Sequence, residues 1–277
     1  MFRRSKEDCK STVRARAASI AALAFASLCF AASATAGQAC EDFKPTATTV
    51  YNALTLAQKV SDTLDASGAD VALISRSGQD LSKYGLRYSH LGFVVRDHPD
   101  GPWTVVHELN ECATAESALF TQGLGTFFLD DMFRYQSLIV IPEPRVQQRL
   151  RGLLIGRAFV RMHEPRYSVV AFPFSTRYQN SNQWALELLA VASADEGQVA
   201  TRGEAQVWLR GAGFVPTTLQ IDAMQRLGAR MFKANVAFDD HPFDRRMAGQ
   251  IDCVTVESIA AFVAQQEAGS RAITVGL

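Results

Sequence analysis

The chain lacks most of the features that announce a function outright. Neither sign of charge is in excess, since 28 Lys and Arg balance 28 Asp and Glu over 277 residues. A nucleic-acid binder carries a basic excess or a basic stripe, so that partner is excluded. Proline and glycine are sparse, at 9 and 18, while apolar residues make up 48%. That composition excludes collagen-like and intrinsically disordered chains. There are only five cysteines, too widely spaced for a zinc cluster. No stretch after the N-terminal segment is apolar and long enough to span a bilayer, which needs roughly 20 residues. No internal repeat, low-complexity tract or composition shift marks a domain boundary, and the length suits one large domain.

What is present begins at the N-terminus. Arg3, Arg4, Lys6, Lys10, Arg14 and Arg16 form a basic leader, Ile20 to Ala32 is an apolar run, and Ala34-Thr35-Ala36 is a small-x-small end. Together they describe a secretory signal peptide over residues 1–36, followed by a single domain over 37–277. The expected location is therefore periplasmic or secreted. Removing the leader takes away six basic and two acidic residues, leaving 22 Lys and Arg against 26 Asp and Glu, a net charge of −4. Cys40, Cys112 and Cys253 remain, and in an oxidising compartment two of them can pair. A Cys40–Cys112 disulfide would tie the mature N-terminus to the core, although three pairings are arithmetically open.

Hydrophobic periodicity predicts a helix over Thr48–Ala66, with Gly68 placed to end it. Val71–Ile74 reads as a buried strand. Tyr88–Arg96 and Trp103–Leu109 flank the turn cluster Asp97 to Pro102, which predicts an antiparallel hairpin. Gln136–Ile141 is a further strand, stopped by Pro142 and Pro144. Helices are expected at Arg145–Phe159, Asn182–Ala192, Gly203–Arg210 and Ala223–Phe232. Val254–Gln265 begins β-rich and continues helix-like, so its type stays open. Strands gathered early and helices later indicate an α+β fold, an antiparallel sheet packed against helices.

Two clusters could carry chemistry. His90 lies inside the first hairpin strand, and Gly92 two residues on lets something approach the backbone closely. On the partner strand His107 and Glu108 alternate faces, so only one of them can lie beside His90. An imidazole oriented by a second polar group is what a general base requires, and two structural histidines are the plain alternative. The second cluster runs from Phe174 through Arg177, Asn180, Ser181 and Asn182 into an apolar helical pattern from Trp184 to Leu189. A helix N-terminus offers free N–H groups and a partial positive potential, which stabilise a nucleophile's anion and an adjacent oxyanion. The competing reading is that Ser181 merely caps the helix.

Other residues suggest less. A metal site from His90, His107 and His241 has no diagnostic spacing, so neither a metal nor a cofactor is expected. Asp130-Asp131 and Asp239-Asp240 read as solvated or capping carboxylates. Arg166, Arg177, Arg245 and Arg246 read as their ion-pair partners rather than as an anion clamp. Phe127, Phe128, Phe133, Phe172 and Phe174 read as core aromatics.

The motifs also carry resemblances. Tyr88-Ser89-His90-Leu91-Gly92-Phe93 and Asn180-Ser181-Asn182-Gln183-Trp184 resemble the strand and helix motifs of circularly permuted papain-like hydrolases. These include NlpC-related peptidases and lecithin retinol acyltransferase-like proteins, whose His precedes the nucleophile along the chain. This sequence has Ser181 where that group has cysteine. A longer resemblance, through GQDLSKYGLRYSHLGFVVRDHP, GLGTFFLDDMFRYQSLIVIP, EPRYSVVAFPFSTRYQNSNQW and RMFKANVAFDDHPFDRR, identifies the chain as a member of the bacterial family called domain of unknown function 2145. The first resemblance implies a permuted papain-like arrangement with Ser181 as nucleophile, His90 as base and His107 or Glu108 as orienter. Tyr88, Asn180, Asn182 and Arg177 would contact substrate. It further implies amide or ester hydrolysis, or acyl transfer, on cell-envelope material. The alternative is a non-enzymatic periplasmic binding or accessory protein that keeps the cleft without the chemistry.

Overall fold

The computed structural model describes residues 43–277, all of which fall within one compact unit. The proposed signal peptide and Cys40 lie outside the described residues. No helix among the described residues is long and apolar enough to cross a membrane.

The described chain is α+β, with a six-stranded antiparallel sheet, a separate two-stranded sheet and eight α-helices. Helix α1 (Ala47–Ser67) opens on Thr46, whose hydroxyl accepts from the Thr49 N–H, and closes on Gly68 at φ 72°. That left-handed cap is where glycine is favoured. Its buried stripe is Ala53, Leu56, Ala57, Val60 and Leu64, a helical spacing that faces the sheet. Strand β1 (Val71–Arg76) is buried at every residue and pairs with β2 (His90–His98) along its whole length, Val71 opposite Val95 and Arg76 opposite His90. The hairpin to β3 (Gly101–Asn110) is tighter than the turn cluster suggested, with His98 opposite Gly101.

Two strands of this sheet escaped the sequence pattern. Strand β4 (Ser117–Gln122) pairs with β3 at one edge, and β8 (Arg271–Gly276), at the C-terminus, pairs with β5 (Gln136–Ile141) at the other. Both are half exposed edge strands, so neither has the apolar run that marks a central strand. The order across the sheet is β4-β3-β2-β1-β5-β8. The expectation of strands first and helices later therefore needs amending, because the sheet is completed by the last strand of the chain. The short α2 (Leu124–Phe128) lies between β4 and β5.

Alternation along the central strands creates two cores. Ala72, Ile74, Val94 and Val105 pack with α1 and with Phe127 and Phe128 of α2. Leu73, Leu91, Phe93, Val95 and Val106 pack with α3 (Pro144–Ile155) and α4 (Ser181–Ser193). The expected helix over Arg145–Phe159 ends sooner, at Ile155, and a 3₁₀ turn over Ala158–Met162 follows. Helix α4 is buried almost all round, from Ser181 to Ala190 without a break. It is the central helix of the molecule, with α5 (Arg202–Gly211) beside it. The second sheet joins β6 (Thr217–Gln220) to β7 (Gln250–Cys253) around α6 (Ala223–Phe232) and α7 (Phe243–Met247). The segment of open type, Val254–Gln265, follows directly on β7 and is helical, opening on a Thr255 capping box into α8 (Val256–Gln266).

Candidate active site

The β2–β3 ladder runs from His98 opposite Gly101 to Phe93 opposite Val106. Just beyond it Gly92 meets His107. A Cβ placed on Gly92 would lie 2.9 Å from the His107 Cβ and 3.2 Å from the Val106 carbonyl oxygen. The glycine is thus needed because His107 occupies the space a side chain would fill. The close approach inferred at Gly92 is that of the neighbouring strand.

From this junction His90 and His107 meet. His90 Nε2 lies 2.8 Å from His107 Nδ1, and His90 Nδ1 lies 3.0 Å from the Ser181 hydroxyl. The three side chains, separated by up to 91 positions in sequence, form one hydrogen-bonded line. Asn180, not Ser181, caps α4: its Oδ1 accepts from the Gln183 N–H at 2.8 Å. Ser181 is the first helical residue, and its hydroxyl is released from capping to face His90. Access is narrow, with His90 7% and Ser181 6% exposed.

Electrostatics keep both rings neutral. Burial depresses the His90 pKa well below the ordinary histidine value, helped by the Arg76 charge and by the neighbouring His107 ring. Burial and Arg76 likewise lower His107 to about 3. Arg76, the β1 partner of His90, is itself buried, donating to the Phe127 carbonyl at 2.7 Å and pairing with Asp130 at 2.5 Å. Phe127 packs against both imidazoles, at 5.9 Å from His90 and 5.4 Å from His107. A neutral His90 whose Nε2–H donates to His107 leaves Nδ1 free to accept the Ser181 hydroxyl proton. In that state His107 donates nothing from Nε2, which is buried without a hydrogen-bond partner.

Tyr167 was missed from sequence. Its phenol lies against both the hydroxyl and the backbone of Ser181, and burial, with the nearby Glu108, pushes its pKa up. A protonated phenol and the N-terminal turn of α4 thus both border Ser181. The only sequence signal was a tyrosine among the polar residues preceding the helix.

The remaining expected site residues are placed elsewhere. Glu108 points away from His90 into the opposite layer, where burial pushes its carboxyl up to about 8, with the nearby Glu187 adding to the shift. His107 is therefore the residue that meets His90. Tyr88 is packed in the core beside Leu91 and Trp184, and its backbone N–H donates to Glu257. Asn182 is buried next to Ser181, with its Oδ1 unpartnered. Arg177 is half exposed, paired with Asp239 at 2.7 Å and stacked on Tyr178. Of the other arginines, Arg166 pairs with Glu164 and Arg245 with Asp252. Phe133 is exposed rather than core, because it sits in the loop before β5 beneath the Arg134 guanidinium. His241 is held by Asp240 and the Asp252 carbonyl. Among the described residues no group of His, Cys, Asp and Glu is arranged to hold a metal ion. The Cys40–Cys112 pairing rests on a residue outside the described part of the chain. Cys253 is free, and burial pushes its thiol up to about 12, too high for reactivity at neutral pH.

A second buried network, also unforeseen, pins the approach to Ser181. Glu187 on α4 receives five hydrogen bonds, from Gln179, Gln183, Gln206 and twice from Arg202. Arg202 goes on to the carbonyls of Thr176 and Tyr178, and Gln206 to that of Ser175. Burial raises the Glu187 pKa and the arginine opposes it. With five donors aimed at two oxygens, no acceptor is left for a carboxyl proton, so the ionised form fits. A lone glutamate inside the apolar run ALELLAVA was the available signal.

A family model described as "Uncharacterized protein conserved in bacteria (DUF2145)" matches residues 63–263. The chain belongs to the DUF2145 family. The matched region includes His90, His107, Tyr167, Ser181 and Glu187. No curated protein and no solved structure matches the chain.

Proposed function

We propose that this DUF2145 protein is an exported acyl-transfer enzyme, cleaving an amide or ester with Ser181 as nucleophile. The reading rests on the line Ser181–His90–His107, with separations of 3.0 and 2.8 Å. His90 takes the Ser181 proton through Nδ1 as the oxygen attacks a carbonyl carbon. The resulting imidazolium, held by His107, which accepts from Nε2, gives the proton to the departing amine or alcohol as its bond to the acyl carbon breaks, and water or an acceptor hydroxyl or amine then takes the acyl group from Ser181. The oxyanion would be met by the α4 N–H groups and by Tyr167. A histidine on a central strand, a polar residue on the next strand and a nucleophile opening a later helix support a permuted papain-like arrangement. The leader sequence supports export to a periplasm or the medium, and with it a substrate from the cell envelope.

One observation favours a second reading, a binding or accessory protein. Both histidines are depressed far enough by burial and Arg76 to make His90 a weak base, and serine needs more help than a thiol. A fluorophosphonate probe separates the two. The wild type is expected to label, and Ser181→Ala and His90→Ala to lose labelling by at least about 100-fold. Equal labelling of wild type and Ser181→Ala would eliminate the nucleophile.

A further inference from the structure

The layer between the sheet and α4 holds a carboxyl that the line Ser181–His90–His107 does not use. Glu108 is fully buried, and neither of its oxygens has a hydrogen-bond partner. A buried polar group left unpaired is rare in a native fold and calls for a reason. Its place follows from register. Glu108 stands opposite Leu119 and Asn110 opposite Ser117, so Glu108 and Ser117 share the face that turns toward α4. Residues 165–167 extend the sheet beyond the start of β4. The Ser117 N–H donates to the Pro165 carbonyl, Glu116 pairs with Arg166, and the Tyr167 N–H donates to the Ala115 carbonyl. That extension brings the Tyr167 ring to the same layer, between Glu108 and Ser181.

The groups that face Glu108 come from each element around it. Glu187 of α4 and Arg202 of α5 belong to the paired network, Glu164 is held by Arg166, and the Ser117 hydroxyl is 3.0 Å from His163 Nε2. None of these is a cation free to neutralise a carboxylate at Glu108. Arg202 gives its donors to Glu187 and to the carbonyls of Thr176 and Tyr178, and burial lowers the His163 pKa. The Glu108 proton is therefore kept to about pH 8. The other titrating groups of the site behave differently. His90 and His107 are already neutral at pH 7, and burial holds the Tyr167 phenol protonated beyond its ordinary range.

From this placement we propose that Glu108 is a positioning residue of the Ser181 site, acting through Tyr167. As a neutral acid it leaves the phenol O–H aimed at the oxyanion; as a carboxylate it turns that O–H toward itself and weakens acyl transfer. The physical reason is that an unpaired buried charge exerts a strong field on a dipole in the same dry layer. The absence of any donor to Glu108 fits this role, since a carboxylate meant to stay ionised would be given partners, as Glu187 is. The inference rests on the reading of Ser181 as nucleophile and Tyr167 as oxyanion donor. It adds an alkaline limit to the reaction, set by a residue that touches neither substrate nor nucleophile.

The test is the rate of fluorophosphonate labelling as pH is raised through about 8. The wild-type rate should fall about tenfold, whereas Glu108→Gln, which puts a neutral amide in the same space, should show no fall. In a Tyr167→Phe background the O–H is gone, and the advantage of Glu108→Gln at high pH should shrink to less than about twofold. Infrared difference spectra of the wild type supply a readout that needs no variant. One protonated-carboxyl stretch should disappear over the same pH range as the rate. Three results would overturn the inference while Ser181 still labels: an equal alkaline fall in wild type and Glu108→Gln, a full advantage of Glu108→Gln in Tyr167→Phe, or no loss of a protonated carboxyl. If the wild type does not label, or Ser181→Ala labels equally, the catalytic reading fails and takes the inference with it.

Discussion

Two buried polar networks meet α4, and they differ in how completely they are satisfied. At Glu187 the charged groups are satisfied: both carboxylate oxygens, Arg202 and the glutamine N–H donors are engaged, only Gln183 Oε1 is left without a partner, and the bonds reach out to hold residues 175–178. At Ser181 the rings are neutral, and unpartnered atoms remain on His107 and Asn182. A buried network whose charged groups are all paired fixes a conformation and resists change. An incompletely paired one keeps its proton positions open and its pKa values displaced, as chemistry requires. Along α4, a charge-satisfied anchor at mid-helix thus lies less than two turns from an under-satisfied N-terminus.

The largest effect should come from breaking the satisfied network. Glu187→Gln leaves the buried Arg202 charge unpaired and should cost about 3–5 kcal/mol. Ser181→Ala, which removes the hydroxyl's neutral hydrogen bonds to His90 and Tyr167, should cost about 1–2 kcal/mol. Urea titration of both variants measures the contrast, and equal losses would erase the distinction. Next in size is Gly92→Ala, whose Cβ would meet the His107 Cβ at 2.9 Å. The strand junction must shift, with a loss of about 1–3 kcal/mol. Probe labelling at Ser181 should fall too, because His107 is displaced from His90.

The most gradual effect, spread over several pH units, is the dependence of stability on pH. His90 and His107 are held below the ordinary value of 6.5, so below it the unfolded chain binds protons that the folded chain refuses. Stability then falls as pH drops from 6.5, by at most about 1.4 kcal/mol per unit for each ring. Glu108, raised from 4.5 to about 8, does the opposite: the folded chain keeps a proton that the unfolded chain has lost. Its contribution falls as pH rises from 4.5 to 8. These three groups together place a stability maximum near pH 6.5, readable from urea midpoints at pH 5, 6.5 and 8. Glu108→Gln should flatten the alkaline side and steepen the loss between pH 6.5 and 4.5, where the carboxyl otherwise opposes the two histidines.

How much of this was readable beforehand follows from what each residue signals locally. The strand Gln136–Ile141 and the helix Ala223–Phe232 emerge with the bounds that their periodicity predicted. The edge strands β4 and β8 did not, since half-exposed strands lack an apolar run. His90, His107 and Ser181 could be singled out because a histidine inside a strand and a serine before an apolar helix are locally anomalous. Their contact, and the choice of His107 over Glu108, could not be read. Strand alternation says only that one of the two faces His90, and the ladder ending at Phe93 and Val106 decides which. Tyr167, Arg76, Glu187 and Arg202 carried no local pattern tying them together.

The sequence by itself determined the α+β class, the central hairpin, the helix that Ser181 opens and the candidate chemistry, because periodicity and capping preference act over a few residues. The tertiary structure alone decided that Asn180 would take the cap and free Ser181, that His107 would meet His90, and that Glu108 would be buried in the opposite layer. Each outcome depends on what lies across the fold, where burial and register, not local propensity, fix the free energy of a side chain.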